Sequence, residues 1–332
     1  MPLSRTVGNF TGRRPPHSAL THPRMYASDV LTGGYTGVVP AVVDWHSGVK
    51  LPIALNDRLG DCTIADVSHA IEVWTTFSSG TETMISDADV QAMYSRVGGY
   101  IPGNPSTDQG CVIQDVLDDW RKTGIGTPPH QIVAFLQVNH TDVAELKACT
   151  WLFLGVTLGV NLPQSALDQF RAGTPWTYDP RANNSIVGGH DVRLLGFDAS
   201  GMMYVATWGA VQRVSPSWLV FCEEAWSQLS VDFVKANVSP EGLDVTALNA
   251  AFTQLTGQPG PFPISPTPPV PVPPSPTPVP PSPTPVTITP AQAAANTALA
   301  MTAHQFLQNR RWWQSTAALA QVLTSWLNAW KL

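Results

Sequence analysis

A proline-rich segment near the C-terminus divides this chain of 332 residues. Residues 257–290 contain 16 of the 31 prolines, and the heptad PPSPTPV occurs twice in tandem, at 273–279 and 280–286. Because proline has a fixed φ and no backbone N–H, such a segment forms neither a helix nor a sheet ladder. We therefore predict an extended polyproline II linker at 257–289, with a folded domain before it.

The segment after the linker, residues 290–332, has the pattern of an amphipathic helix. Thr289 and Gln292 form a capping box around Pro290. Apolar side chains then recur at three- and four-residue spacing: Leu319, Leu323, Trp326 and Trp330. The segment has three basic residues and no acidic one, so its charge is +3 against −9 for the rest of the chain. We predict that this helix self-associates or docks on a larger assembly, which the pattern favours over a membrane surface.

The part of the chain before the linker shows helical patterns first and strand patterns later. Helical spacing occurs at 62–77, 87–97 and 112–124. Strand patterns occur at 151–160, 190–198 and 202–209, and the turn sequence DASG joins the last two. This order predicts an α+β fold at 39–256, with a helical lobe and an antiparallel β lobe, preceded by an N-terminal arm at 1–38.

Composition excludes several functional classes. A net charge of −6 offers no general attraction to nucleic acid, so we expect no nucleic-acid partner. The four cysteines are widely spaced and form no CxxC pair, which argues against a zinc site, and we expect no metal or cofactor. The N-terminus lacks the apolar core of a Sec signal peptide, and no run of about 18 apolar residues occurs. We therefore expect a cytoplasmic or virion-associated protein.

Cys62 stands at the start of a helical segment in the sequence NDRLGDCTIADVSHAIE. A helix N-terminus lowers the pKa of a cysteine and supplies backbone N–H donors for an oxyanion. His190 follows Gly188 and Gly189 at the predicted head of a strand, and the two glycines would let a substrate backbone approach the imidazole. This arrangement indicates Cys–His acyl transfer. The alternative is a buried, inert cysteine with an unrelated histidine.

Three motifs, in order along residues 39–230, resemble those of papain-like cysteine proteases. The start of the mature domain in that family resembles VPAVVDWHSGVKLPIALNDRLGDCTIADVSHAIE. The segment that pairs with the substrate backbone resembles QGCVIQDVLDDWRKTGI, and the histidine strand with its hairpin resembles GGHDVRLLGFDASGMMYVATWG. The resemblance implies a papain-like fold and hydrolysis of peptide or amide bonds.

The resemblance also assigns roles to single residues. It implies that Cys62 is the nucleophile, that His190 is the base and that Asn56 holds the place of the oxyanion-binding glutamine. It gives substrate-backbone binding to Gly110 and shielding of the histidine to Trp208. The arm at 1–38 is shorter than the long inhibitory propeptide of the animal and plant members.

Two positions depart from the family pattern. The asparagine that orients the histidine falls on Ala206, which cannot hold a tautomer, and Asp198 and Thr207 are the candidates to replace it. The family's disulfide cysteine, three residues before the nucleophile, falls on Leu59. We therefore retain two hypotheses. One is a papain-like cysteine peptidase acting on a peptide or protein substrate through an acyl-thioester. The other is a catalytically impaired papain-fold binding or structural module on a stalk, such as a virion or cell-surface component.

Overall fold

A computed structural model of the chain describes residues 11–22, 24–28 and 39–230, together with residues 249, 253 and 259. The chain divides into two compact units, Met1–Pro268 and Pro269–Leu332, and every described residue belongs to the first unit. The predicted linker, apart from Pro259, and the predicted C-terminal helix lie outside the described residues. Those two predictions therefore stay predictions.

The three helices expected in the first half of the domain are confirmed. They are α1 (Cys62–Ser79), α2 (Asp87–Gly98) and α3 (Ile113–Lys122). Ser86 caps α2 by accepting a hydrogen bond from the backbone N–H of Asp89. Gly80 and Gly99 end α1 and α2 in the left-handed conformation, which glycine adopts without steric cost.

The second half of the domain is an antiparallel sheet with two further helices. The strands are β1 (Val43–Asp44), β2 (Ile132–Val138), β3 (Val156–Pro163), β4 (Ile186–Phe197), β5 (Met203–Thr207), β6 (Ala210–Val214) and β7 (Cys222–Ser230). The helices are α4 (Val143–Leu152) and α5 (Gln164–Ala172). The strand order is β2-β7-β3-β4-β5-β6, and β1 pairs with β4. The predicted α+β class with an antiparallel sheet is confirmed.

Some predicted boundaries were wrong. The segment 151–160 was predicted as one strand, but its first two residues end α4 and β3 begins only at Val156. The break falls at Leu154 and Gly155, which have φ of 56° and 134° and so interrupt any regular element. His190 was predicted at the head of a strand, whereas β4 already begins at Ile186. The periodicity of the sequence did not predict the helices α4 and α5 or the strands β2, β6 and β7.

Helix α1 packs against β4, and a buried ion pair joins the two elements. Arg193 Nη1 on β4 lies 3.3 Å from Asp66 Oδ2 on α1, and both side chains are almost fully buried. Thr157 on β3 donates to the same carboxylate oxygen at 2.6 Å. The guanidinium also lies over the Trp74 ring, 5.4 Å from its centroid. These buried polar contacts therefore fix the position of α1 on the sheet.

No helix within the described ranges is long and apolar enough to cross a membrane.

We predict that Arg193→Met lowers the free energy of unfolding by about 3–5 kcal/mol, because it leaves the Asp66 carboxylate buried without its cation. Urea unfolding followed by tryptophan fluorescence measures the change. Arg58→Met is the matched control, since Arg58 pairs with Asp87 at 3.2 Å where both side chains are more than 60% exposed. The control should cost less than about 1 kcal/mol. Equal losses in the two variants would contradict a role for the buried pair in stability.

Candidate active site

Cys62 is the first residue of α1, as the sequence predicted, and its side chain is buried. Asp61 precedes it at the N-cap but makes no capping hydrogen bond with its side chain. The backbone N–H groups of Asp191 and Gly12 face the Cys62 sulfur and favour its anion, but less strongly than burial disfavours it. Cys62 therefore lies against the segment of β4 that carries His190.

His190 is held by two neighbours on its own sheet. Its Nε2 lies 2.8 Å from Thr207 Oγ1, and Trp208 stacks on the imidazole with 4.4 Å between ring centroids and an interplanar angle of 15°. Nδ1 is buried and has no hydrogen-bond partner within the described part of the chain. If Nε2–H donates to Thr207, the lone pair of Nδ1 is the basic site of the ring.

Thr207, rather than a residue at position 206, takes the place beside the imidazole. Ala206 is buried and pairs with Arg193 in the sheet, so its methyl group offers His190 no hydrogen bond. Asp198, the other candidate from the sequence, accepts hydrogen bonds from Ser200 and Tyr204 in the β4–β5 turn. The hydroxyl of Thr207 therefore holds the ring where the family pattern has an amide.

The electrostatics of this site differ from the expected thiolate. Burial raises the pKa of the Cys62 thiol well above its usual value, and the negative charge of Asp191 raises it further. Burial also lowers the pKa of His190 to about 3, and the positive charge of Arg13 acts in the same direction. The expectation that the helix N-terminus lowers the Cys62 pKa was therefore wrong for this conformation, in which thiol and imidazole are both neutral near pH 7. Within the described ranges, no hydrogen bond joins Cys62 to His190.

Asn56 is buried beside the start of α1, and its amide is engaged locally. Nδ2 donates to the Leu59 carbonyl at 3.1 Å and to Asp61 Oδ1 at 3.3 Å. Both hydrogens of the amide nitrogen therefore have acceptors in this conformation. To bind an oxyanion, the amide must give up one of these two hydrogen bonds.

The N-terminal arm lies in the cleft between the helical lobe and the sheet. Residues 11–14 are extended and form backbone hydrogen bonds on both sides. Arg13 N–H donates to the Gly189 carbonyl at 3.0 Å, Cys111 N–H donates to the Gly12 carbonyl at 2.9 Å, and Arg14 N–H donates to the Cys111 carbonyl at 2.8 Å. The arm therefore bridges the two lobes directly over Cys62.

Glycines make this close approach of backbones feasible. A Cβ on Gly110, which has φ of 70°, would lie 1.8 Å from the Gly12 carbonyl oxygen. A Cβ on Gly189 would lie 2.1 Å from the Arg13 carbonyl oxygen, and one on Gly188 would meet the Thr11 hydroxyl at 2.2 Å. The positions that the sequence suggested for a substrate backbone are thus lined by the backbone of the arm.

The arm is not placed for its own cleavage. Gly12 presents its N–H to the Cys62 sulfur, and its carbonyl oxygen is bound by Cys111 N–H. Nucleophilic attack requires a carbonyl carbon at the sulfur with its oxygen held by oxyanion donors. In this conformation the Gly12 carbonyl is therefore not oriented for attack by Cys62.

The structure brings Cys62, His190, Gly110, Gly189 and Trp208 to this cleft, and Asn56 lines a small cavity together with Cys62 and Trp208. Asn56 lies next to Asp61, at the N-cap of α1. Sequence reasoning predicted the arm but not its place in the cleft, and it missed the acidic residues that bind Arg13. The feature that could have indicated them is the pair Glu223-Glu224 in a strand that is otherwise uncharged. Within the described residues, no group of three or more His, Cys, Asp or Glu side chains could hold a metal ion.

Comparison with solved structures identifies the fold. Xylellain, a cysteine protease from Xylella fastidiosa, superposes with a TM-score of 0.52 at 16% identity, covering 67% of this chain and 96% of that chain. Digestive procathepsin L 3 of Tenebrio molitor gives a TM-score of 0.46 at 14% identity, covering 68% and 77%. Bromelain from Ananas comosus gives 0.43 at 13% identity, covering 57% and 99%. No family model and no curated protein sequence matches the chain. The chain thus has a papain-like fold.

The arm should control access to Cys62. A Cβ on Gly12 would lie 1.7 Å from the Gly60 carbonyl oxygen, so Gly12→Ala displaces the arm. We predict that alkylation of Cys62 by iodoacetamide at pH 7.5 is slow in the unaltered protein and about tenfold or more faster in Gly12→Ala. Peptide mapping by mass spectrometry measures the rate at each cysteine.

Leu20→Ala is the control, because it changes an arm side chain that is 95% exposed. It should leave the labelling rate unchanged. Equal labelling in all three proteins would mean that the arm does not cover Cys62.

Proposed function

We propose that this papain-fold domain is a cysteine peptidase that hydrolyses peptide or amide bonds, with Cys62 as nucleophile and His190 as base. The observation that carries the proposal is the arm itself. An extended peptide lies across the start of α1, bound through its backbone to Gly189 and Cys111, next to a cysteine and a histidine. A cleft that binds a peptide backbone in this place has the geometry that a peptidase of this fold needs.

In the proposed reaction, Nδ1 of His190 takes the proton of the Cys62 thiol. The sulfur then attacks the substrate carbonyl carbon, and the developing oxyanion is stabilised by the Cys62 backbone N–H and the Asn56 amide. The imidazolium passes its proton to the leaving amine, which leaves an acyl-thioester. Water, activated by the same imidazole, hydrolyses the thioester and restores the thiol.

Thr207 and Trp208 have supporting roles in this proposal. The Thr207 hydroxyl, 2.8 Å from Nε2, holds the imidazole in the tautomer that leaves Nδ1 basic. Trp208 stacks on the ring and keeps water from competing for Nε2.

The conformation with the arm in place is inactive in this proposal. Burial under the arm keeps Cys62 and His190 neutral, and Arg13 further disfavours the imidazolium. When the arm leaves, water enters and the desolvation that separates the two pKa values falls. The thiolate–imidazolium pair then becomes accessible.

A binding or structural module remains the second candidate. The observation that favours it is the neutral Cys62–His190 site, which lacks a direct hydrogen bond and has Ala206 in place of the orienting amide. In that case the arm would be a fixed part of the fold, and its displacement would yield no turnover.

Activity measurements on arm-displaced protein separate the two candidates. We predict that full-length Gly12→Ala cleaves a peptide library or a denatured protein faster than the unaltered chain, and that Cys62→Ala in the same background abolishes cleavage. Mass spectrometry of the products measures both. No turnover in Gly12→Ala, with Cys62 also unreactive toward a peptidyl epoxide, would favour the binding module.

The hydrogen bond at Nε2 gives a further test. In the Gly12→Ala background we predict that Thr207→Val lowers kcat by about 10-fold, because it removes the hydroxyl from a site of similar shape. Thr207→Ser keeps the hydroxyl and should retain most of the activity. A positioning role predicts a lower kcat with little change in KM. Equal effects of valine and serine would mean that the hydroxyl is not what orients His190.

A further inference from the structure

The side chain of Arg13 lies in a pocket between β3 and β7 that offers acceptors to both terminal nitrogens of its guanidinium group, whereas its buried Nε has no partner among the described residues. Nη1 donates to Glu224 Oε1 at 2.9 Å, and Nη2 donates to Glu223 Oε2 at 2.6 Å and to Asn161 Oδ1 at 2.8 Å. The side chains of Arg13 and Glu224 are each 1% exposed, and that of Glu223 is 38% exposed. This arginine pocket consists of Asn161, Glu223, Glu224 and Gly159.

The pocket is shaped by residues of the sheet and not only by the arm. The second oxygen of Glu224 accepts a hydrogen bond from Trp226 Nε1 at 2.8 Å on the same strand. This bond leaves Oε1 as the oxygen that faces a ligand. Gly159 provides room for the aliphatic stem, since a Cβ there would lie 2.8 Å from Arg13 Cδ. Both features belong to β3 and β7.

The carboxyl groups around the pocket favour a cation inside it. Besides Glu223 and Glu224, the buried Asp191 carboxylate interacts with Arg13. Arg193 is the other cation near this group, and it is bonded to Asp66. Without Arg13, the buried Glu224 carboxyl has no direct cationic partner among the described residues, and burial, which raises its pKa, would then disfavour its anion further. A ligand that carries a guanidinium group would replace the positive charge of Arg13 in the pocket.

The pocket lies beside the proposed nucleophile. Gly12 lies against the Gly60 backbone, two residues before Cys62, with its N–H toward the Cys62 sulfur, and Arg13 is its neighbour in the chain. A peptide whose residue takes the place of Gly12 therefore puts the side chain of an adjacent residue into the arginine pocket. We propose that the arginine pocket is the specificity site of this domain and selects peptide substrates with arginine at that adjacent position. The inference rests on the proposed peptidase function.

Arginine should be preferred over lysine. The three acceptors lie around a planar group and take hydrogen bonds from both terminal nitrogens of the guanidinium. A lysine ammonium is a single point of charge and cannot meet the same set of acceptors with two nitrogens.

The test uses full-length Gly12→Ala/Arg13→Ala, which displaces the arm and removes the competing side chain while every residue of the pocket is kept. Cleavage of a peptide library, analysed by mass spectrometry, should show arginine enriched at one position within two residues of the cleaved bond. For one such peptide, replacing arginine by citrulline, which keeps the shape and removes the charge, should lower kcat/KM by about 10- to 100-fold. Because the same enzyme variant is used with both peptides, misfolding cannot account for the lower kcat/KM.

A variant pair assigns the effect to the pocket. Glu224→Gln in the Gly12→Ala/Arg13→Ala background should remove most of the difference between arginine and citrulline. Glu145→Gln, a change of the same kind on α4, should retain it. Cleavage without any preference for arginine would overturn the inference and leave the peptidase function standing.

A binding measurement covers the case in which no cleavage is seen. A fluorescein-labelled peptide with the arm sequence NFTGRRPP is titrated with Gly12→Ala/Arg13→Ala/Cys62→Ala protein, whose own arm is displaced, and followed by fluorescence anisotropy. If it binds at least 10-fold more tightly than the peptide with citrulline in place of the first arginine, the pocket selects arginine but the peptidase function fails. If the two peptides bind equally and no cleavage occurs, both proposals fail.

Discussion

The contact between the start of α1 and strand β4 is the constraint on which the site depends. Cys62 and Asp66 lie one helical turn apart on α1, and Arg193 follows His190 by three residues on β4. The buried Arg193–Asp66 pair therefore fixes the relative position of the two segments that carry the thiol and the imidazole. A buried pair of this kind adds little net stability compared with apolar packing, but it penalises any arrangement in which the charges separate. Its effect on the fold is to specify one register between helix and sheet.

The sequence was sufficient for the parts of the structure that local patterns determine. The helices α1 and α2 and the hairpin at Asp198 follow from periodicity and turn residues. Ordered motifs were sufficient for the fold class. The helix α4 was missed because its apolar residues merge with those of β3, and only the backbone at Leu154 and Gly155 separates them.

The site itself was less accessible to sequence reasoning, because its properties arise from distant contacts. Counting from His190 placed the orienting position on Ala206, but only the fold shows that the Thr207 hydroxyl reaches Nε2. The direction of the Cys62 pKa shift could not be predicted from the sequence either. A helix dipole stabilises an anion by about 0.3–2 kcal/mol, whereas full burial shifts a pKa by up to roughly 3–5 units, so burial determines the sign. The arm causes part of that burial, and its position depends on contacts with Gly189 and Cys111, far away in the sequence.

Latency and specificity are linked if the arm and the substrate use the same pocket. The arm is tethered, so its effective concentration at the cleft is in the millimolar range, and a free peptide must displace it at that concentration. Tighter binding of arginine by Glu223 and Glu224 would favour substrates, but it would favour Arg13 equally. The arm nevertheless differs from a substrate at Gly12, whose N–H and not its carbonyl faces Cys62. The acidic pocket therefore sets which peptides bind, whereas the backbone orientation at Cys62 determines whether the bound peptide reacts.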